Sequence, residues 1–212
     1  MSDKKLDYKL ARDLAWDVLI RNDVSTLPID IFYICRKENV PVFKYSYSID
    51  IIKDLNLEHN MEGNDAFSFG NMIFYDGTQS KERKRFSIAH ELGHVLMHTP
   101  EEKRIFYRSD MDVLNPLESE ANIFAARLLA PLCVLQFLNL NSPKEIADAC
   151  NISYSSAVLR FKRLCEIRKR SSERYKDKNH GTFLMSKREK TVLKNFENYI
   201  NENKRTILLP LE

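Results

Sequence analysis

Apolar and polar positions alternate along this chain in two rhythms, and the rhythms mark out its elements. Leu6, Leu10, Leu14 and Val18 recur at helical spacing, which predicts an amphipathic helix over 6–20. A second helix is expected over 28–38, with Pro28 at its opening. Residues 40–47 read as a strand with Pro41 near its start, and 49–57 as a short helix or turn. Ala66-Phe67-Ser68-Phe69 and Met72-Ile73-Phe74-Tyr75 flank Gly70-Asn71, the pattern of a two-stranded hairpin. A long, mostly apolar helix follows over 80–98. A charged loop containing Pro100 and Pro116 then leads to a second buried helix, from Glu118 up to Pro131. Near the end, Val192, Leu193, Phe196, Tyr199 and Ile200 predict a helix over 186–200, trailed by an apolar stretch at 207–211. The elements add up to an α+β fold, with helices packed on a small sheet. The expected divisions are a core at 1–135, a basic helical segment at 140–178, and a C-terminal helix with apolar tail at 179–212.

The helix over 80–98 carries His90-Glu91-Leu92-Gly93-His94. Histidines four apart fall on one helix face, roughly 40° off axial alignment, close enough to share a metal ion. Glu91 lies beside them and can reach a water on that metal. Two neutral imidazoles with an adjacent carboxylate are what zinc hydrolases use against peptide bonds. Phe86, Ile88, Ala89, Leu92, Val95, Leu96 and Met97 surround the pair, so the helix is largely buried. Buried histidines need partners, and a metal supplies one. Gly93 costs about 1 kcal/mol relative to alanine inside a helix, a cost tolerated where something must approach closely.

A catalytic zinc needs a third protein ligand and an open fourth position. The helix that begins at Glu118 offers Glu118 and Glu120. Glu118 shares a face with Asn122, one turn later. A carboxylate ligand followed by an amide provides both a metal bond and an acceptor for the free ring N–H of a histidine ligand, fixing its tautomer. Glu118 is therefore the expected ligand and Asn122 its outer partner. Glu120 points about 200° away and reads as a solvated helix charge. His98, a turn past His94, reads as a helix-end histidine, since a further histidine ligand would close the position that water needs.

These two motifs together resemble the ImmA/IrrE family of metallo-endopeptidases. The matching residues are 85–94 and 118–131, and with the strand-like stretch 66–76 the likeness covers about residues 25–165. Many members carry Met where this chain has Ala130. The resemblance implies a zincin-like metallopeptidase core and site-specific cleavage of a regulatory protein. Such a substrate is often a helix-turn-helix repressor of a mobile element or a stress regulon.

In the mechanism the residues imply, zinc lowers the pKa of its bound water toward about 7. Glu91 takes the water's proton and passes it to the leaving amine. A further donor for the oxyanion is expected, with Tyr75, Tyr107, Tyr154 and His180 as candidates. Residues 71–75 are the expected sheet edge for an extended substrate, with an ordinary core strand as the equal alternative. Carboxylate and imidazole also accept manganese and iron, so zinc is the expected metal without being the sole one.

Composition narrows the setting. The chain has 212 residues, enough for one substantial core. Cys35, Cys133, Cys150 and Cys165 lack C-x-x-C spacing and read as reduced, mostly buried thiols. The polar N-terminus and the lack of an apolar run of about 18–20 residues point to a cytoplasmic protein with no membrane partner. Charge is uneven: residues 1–131 sum to −4 and 132–212 to +7. The basic excess is densest at 160–178, including Arg163, Arg168, Lys169, Arg170 and Arg174. A solvated helix face is the default reading of such a run.

Residues 142–164 have a helix-turn-helix pattern. Ser142 and Glu145 form a capping box around Pro143, and Ile146, Ala147 and Ala149 face inward. Asn151 makes the turn, and Ser153 caps a second helix carrying Ala157, Phe161 and Leu164. In a DNA reader Tyr154, Ser155, Ser156 and Arg160 would face the groove. A structural or substrate-docking role is favoured over direct DNA binding. The alternative to a zinc endopeptidase is thus a DNA- or protein-binding regulator with a structural or sensory metal. Glu91 weighs against it, because a structural site gains nothing from a base beside an open zinc.

Overall fold

The computed structural model describes residues 6–99, 115–176 and 185–204, with side chains to residue 169 in the second stretch. Tyr107, His180, the loop around Pro100, the tail at 207–211 and the side chains of Arg170 and Arg174 lie outside the described residues. The chain forms two compact units, Met1–Val18 with Asp30–Leu129, and Leu19–Ile29 with Ala130–Glu212.

Helix α1 (Tyr8–Arg21), which belongs to the first unit up to Val18, starts behind Asp7, whose Oδ1 accepts the Lys9 and Leu10 N–H groups at 3.0 and 2.8 Å. The second helix, α2 (Ile31–Lys37), begins later than expected from Pro28. Asp30 caps it, accepting the Phe32 and Tyr33 N–H groups, and that cap fixes the start. The expected strand over 40–47 is cut to β1 (Val42–Lys44). Tyr45 enters a 3-10 turn and buries its ring against Phe67, 5.8 Å between centroids. Helix α3 (Ile49–Asp54) follows.

The hairpin forms as the alternation predicts, β2 (Ala66–Phe69) antiparallel to β3 (Met72–Tyr75) with Phe69 opposite Met72. Gly70, at φ 58°, takes the positive-φ position of the two-residue turn. The sheet order is β1-β3-β2, with β1 parallel to β3. Phe74 stacks between Phe43 and Phe67 at 5.4 and 5.1 Å, and this aromatic layer joins Ile52 and Leu57 in one cluster.

Helix α4 (Lys81–Met97) lies on the hairpin, capped by the Ser80 hydroxyl, which accepts the Arg83 N–H. Helix α5 (Pro116–Leu129) packs along α4. Pro116 belongs to this helix and not to the preceding loop: proline suits a first helical position, where no N–H partner is needed. Asn115 Oδ1 accepts the next free N–H, from Leu117, at 3.0 Å.

Gly93 sits where α4 and α5 meet. A Cβ there would lie 3.0 Å from Phe124 Cδ1 and 3.3 Å from the Ala121 Cα. Phe124 and Ala121 are fully buried, so neither can yield freely. Gly93→Ala gains about 1 kcal/mol of helix propensity and meets overpacking of about 1–3 kcal/mol. We expect a net loss near 1 kcal/mol, read as a melting temperature lower by about 2–4 °C in metal-stripped protein. A rise in melting temperature would show that the helices can separate without strain.

The second unit holds α6 (Leu132–Phe137), α7 (Pro143–Cys150), α8 (Tyr154–Lys176), α9 (Lys187–Asn195) and α10 (Glu197–Asn203). Helices α7 and α8 form the expected pair about Asn151, which is left-handed at φ 52°. Ser142 accepts the Glu145 N–H, and the Glu145 carboxylate takes the Asn141 N–H. Ile146 and Cys150 are buried, one turn apart, whereas Ala147 and Ala149 are only half-buried.

Arg160 departs from the groove-facing expectation. It is 9% exposed, and its guanidinium donates to the Ala130 carbonyl oxygen, so it is used inside the unit. The helix expected over 186–200 breaks at Phe196, whose fully buried ring joins the core.

All four cysteines are free thiols: Cys35, Cys133 and Cys150 are buried and Cys165 is exposed. Burial pushes the Cys35 and Cys133 thiols up to about 12. Among the described residues one stretch, Pro116–Phe137, is long and apolar enough to cross a membrane. It exceeds what the sequence reading allowed for, but 67% of its window is buried, as in a core helix.

Candidate metal centre

Helix α4 sets His90 and His94 on one face, with ring centroids 4.7 Å apart and their Nε2 atoms at 3.0 Å. From the first turn of α5, Glu118 reaches across to both rings. Its Oε2 lies 3.1 Å from His90 Nε2, and its Oε1 lies 3.2 Å from His94 Nε2. A carboxylate is favoured in that first turn, near the positive end of the helix dipole. Asn122, one turn on, holds Oδ1 at 3.0 Å from His90 Nδ1. The imidazoles are 15% and 8% exposed and Glu118 is 46% exposed, so the cluster opens to solvent on the carboxylate side.

This donor set fits a cation. With Asn122 Oδ1 accepting from Nδ1–H of His90, the Nε2 of that ring carries a lone pair. The carboxylate of Glu118 is an acceptor when ionised. Acceptors then face one another at 3.0–3.2 Å, which is unfavourable unless positive charge lies among them. Zinc bonds of about 2.0–2.1 Å in tetrahedral geometry imply ligand spacings of roughly 3.3 Å, close to those seen.

The electrostatics agree. Burial opposes charge on His90, but the neighbouring Glu118 and Glu91 carboxylates and Asn122 outweigh it, and its pKa is raised. The His90 and His94 rings beside it hold Glu118 well below the usual carboxylate range. Glu118 therefore stays ionised, as a ligand must.

Glu91 has a different relation to the pair. Ligand-capable atoms of His90, Glu91 and His94 all lie within 4.8 Å of one another. Glu118 makes the direct contacts to the two rings, and Glu91 stands beside them at the floor of the cleft. The cleft has a volume of about 680 Å³, and β2 supplies part of its wall through Ala66, Phe67 and Ser68.

The expectation that residues 71–75 offer a sheet edge here is not met: β3 is the central strand, hydrogen-bonded on both sides. The edge strand that lines the cleft is β2. Alternation alone could identify the hairpin but not which arm is outermost, because that depends on where β1 pairs.

Glu120 also departs from expectation. It is fully buried rather than solvated, with Oε2 3.0 Å from His98 Nε2 and Oε1 accepting the Asp7 N–H at 2.7 Å. His98, which caps the C-terminus of α4, has Nδ1 2.9 Å from His94 Nδ1. His98 is at the helix end, as the sequence predicts, and its place one turn past His94 is the signal for this contact.

Tyr75 packs edge-on against Phe32 at 5.9 Å and is not part of the cleft wall. Tyr154 belongs to the second unit and is 63% exposed. The polar residues on the wall include instead Asn60, Asn64, Asp65, Ser68, Ser87 and Asn115, which nothing in the sequence pattern singles out.

Comparison with curated proteins gives no match. The sequence profile of a peptidase family, described as the IrrE N-terminal-like domain of peptidase M78, matches residues 47–162, more than half of the chain. That span contains the two-histidine helix, the helix carrying Glu118 and Asn122, and the hairpin beside them. The chain belongs to the IrrE N-terminal-like family of metallopeptidases.

Proposed function

We propose that this protein is a zinc-dependent endopeptidase of the cytoplasm that cuts a regulatory protein, of the helix-turn-helix repressor kind, within an extended segment. The observation that carries the peptidase reading is the convergence of His90, His94 and Glu118 with Glu91 alongside, at the floor of an open cleft. His90, His94 and Glu118 would hold the metal, and Asn122 would orient His90. When bound, zinc supplies a Lewis acid that polarises the scissile carbonyl and acidifies water.

Glu91 is the general base: it removes a proton from the attacking water and returns it to the departing amine nitrogen. The edge strand β2 orients the substrate. An extended peptide adds to that edge through main-chain hydrogen bonds, which grip any sequence, while flanking side chains meet the cleft wall. The regulatory nature of the substrate rests on the family resemblance. Burial of Arg160 weighs against the DNA-reading alternative, because it removes the one cation among the four groove candidates.

The test is a diverse peptide library incubated with zinc-loaded protein and analysed by mass spectrometry. Internal cuts that stop with a chelator and resume with added zinc are expected. An intact library at full zinc occupancy would refute the endopeptidase reading.

A further inference from the structure

Behind the metal centre runs a second line of buried polar groups, and it ends on a carboxylate that the reaction does not use. His94 Nδ1 lies 2.9 Å from His98 Nδ1, His98 Nε2 lies 3.0 Å from Glu120 Oε2, and Glu120 Oε1 accepts the Asp7 N–H at 2.7 Å. The side chains of His98 and Glu120 are both 0% exposed. We infer that His98 and Glu120 are positioning residues for His94, fixing its ring and tautomer so that Nε2 is presented to a metal. This inference rests on the reading of His94 as a metal ligand.

With His98 neutral, the hydrogen-bond directions leave one consistent arrangement. Glu120 is held by two donors, the Asp7 N–H and a ring N–H of His98, which suits an ionised carboxylate with no proton of its own to place. The proton of His98 is then on Nε2, and its Nδ1 carries a lone pair. That lone pair faces His94 Nδ1 at 2.9 Å, so His94 must carry its proton on Nδ1. The Nε2 of His94 is thereby left as an acceptor, pointing at Glu118 and His90. Each proton follows from the one before, starting at the carboxylate.

Chemistry and placement support the assignment. An ionised carboxylate in a dry interior is costly, and an apolar residue would serve packing at least as well. The charge is placed where it orders a ligand and strengthens it as a base, the role of carboxylate–histidine–metal chains. His98 is not itself available as a ligand from this position, since both its nitrogens are engaged on the far side of His94. The two imidazoles of the centre are thus served differently: His90 by one amide from α5, His94 by a histidine and a buried carboxylate.

The test uses two variants of the full chain, His98→Leu and Glu120→Gln. Zinc affinity is measured by competition with a chromophoric chelator, and the visible absorption spectrum of the cobalt-substituted protein is recorded beside it. Glu120→Gln keeps the shape, but its single acceptor oxygen cannot take both donors, so it disturbs the chain without opening a cavity. Each variant is expected to bind zinc about 10–100-fold more weakly than wild type and to shift the cobalt bands, which report ligand geometry.

Wild-type zinc affinity and unchanged cobalt bands in folded variants would overturn the inference and leave the metal reading intact. If His98→Leu fails to fold, Glu120→Gln decides alone. Absence of zinc binding by the wild type would overturn the metal reading itself and the positioning role with it.

Discussion

Glu91→Gln is expected to cut peptide cleavage by orders of magnitude and to leave the metal in place. The two effects separate because Glu91 stands beside the histidines while Glu118 makes the direct contacts to both rings. Glutamine keeps the length and shape of the side chain but cannot accept a proton from the attacking water. General-base catalysis contributes roughly 10²–10⁴-fold, so turnover should fall by about that factor, with zinc content and melting temperature close to wild type. The readouts are cleavage of library peptides and elemental analysis of the same preparations.

In cells, new protein termini produced by wild type and missing with Glu91→Gln identify the substrate, and their appearance in a DNA-binding regulator is the expected result. Undiminished cutting by a zinc-loaded Glu91→Gln protein would remove Glu91 from the mechanism.

Much of the first unit was legible because its signals are local. The helix bearing the histidines runs from Lys81 to Met97, within the expected 80–98, since Ser80 is a strong cap and the apolar stripe is unbroken. The hairpin follows from two short strand-like runs on either side of Gly70-Asn71. Glu118 and Asn122 share a face by helical spacing alone, and the structure brings both to the histidines.

The misses are non-local. Glu120 looks like a surface charge until His98, twenty-two positions earlier, and the Asp7 backbone close over it. Period alone places a charged residue on a helix face but does not say whether that face meets water or another polar group. Arg160 is the same case: it shares the buried stripe of its helix with Ala157 and Leu164, and the Ala130 carbonyl accepts from its guanidinium.

Strand pairing is likewise invisible to alternation, which gave β2 and β3 together but not the parallel partner that makes β3 central. The tail helix is interrupted at the single residue Phe196, at φ −89° and ψ 3°, while its N–H still reaches the Val192 carbonyl, and nothing in the sequence marks that position.

Glu118→Gln should have the second large effect, on the metal itself. Wild type is expected to carry about one zinc per chain, as for a three-ligand catalytic site. Glutamine at 118 removes the carboxylate that contacts both imidazoles and with it the negative charge that balances a dication. Its affinity should therefore fall by more than the roughly hundredfold that bounds an outer partner. His94→Ala, which removes another direct donor, should match it. Glu120→Gln should fall well short of both.

A ligand that binds only the folded state stabilises it by about 4 kcal/mol when present at 1,000 times its Kd. Added zinc should therefore raise the melting temperature of wild type and leave that of Glu118→Gln nearly unmoved. Elemental analysis and thermal melts on the three variants rank the contacts directly. Zinc retained by Glu118→Gln but lost from Glu120→Gln would exchange the two roles. It would place the metal on the buried side of His94, among side chains that are 0% exposed, and the peptidase geometry would fall with that result.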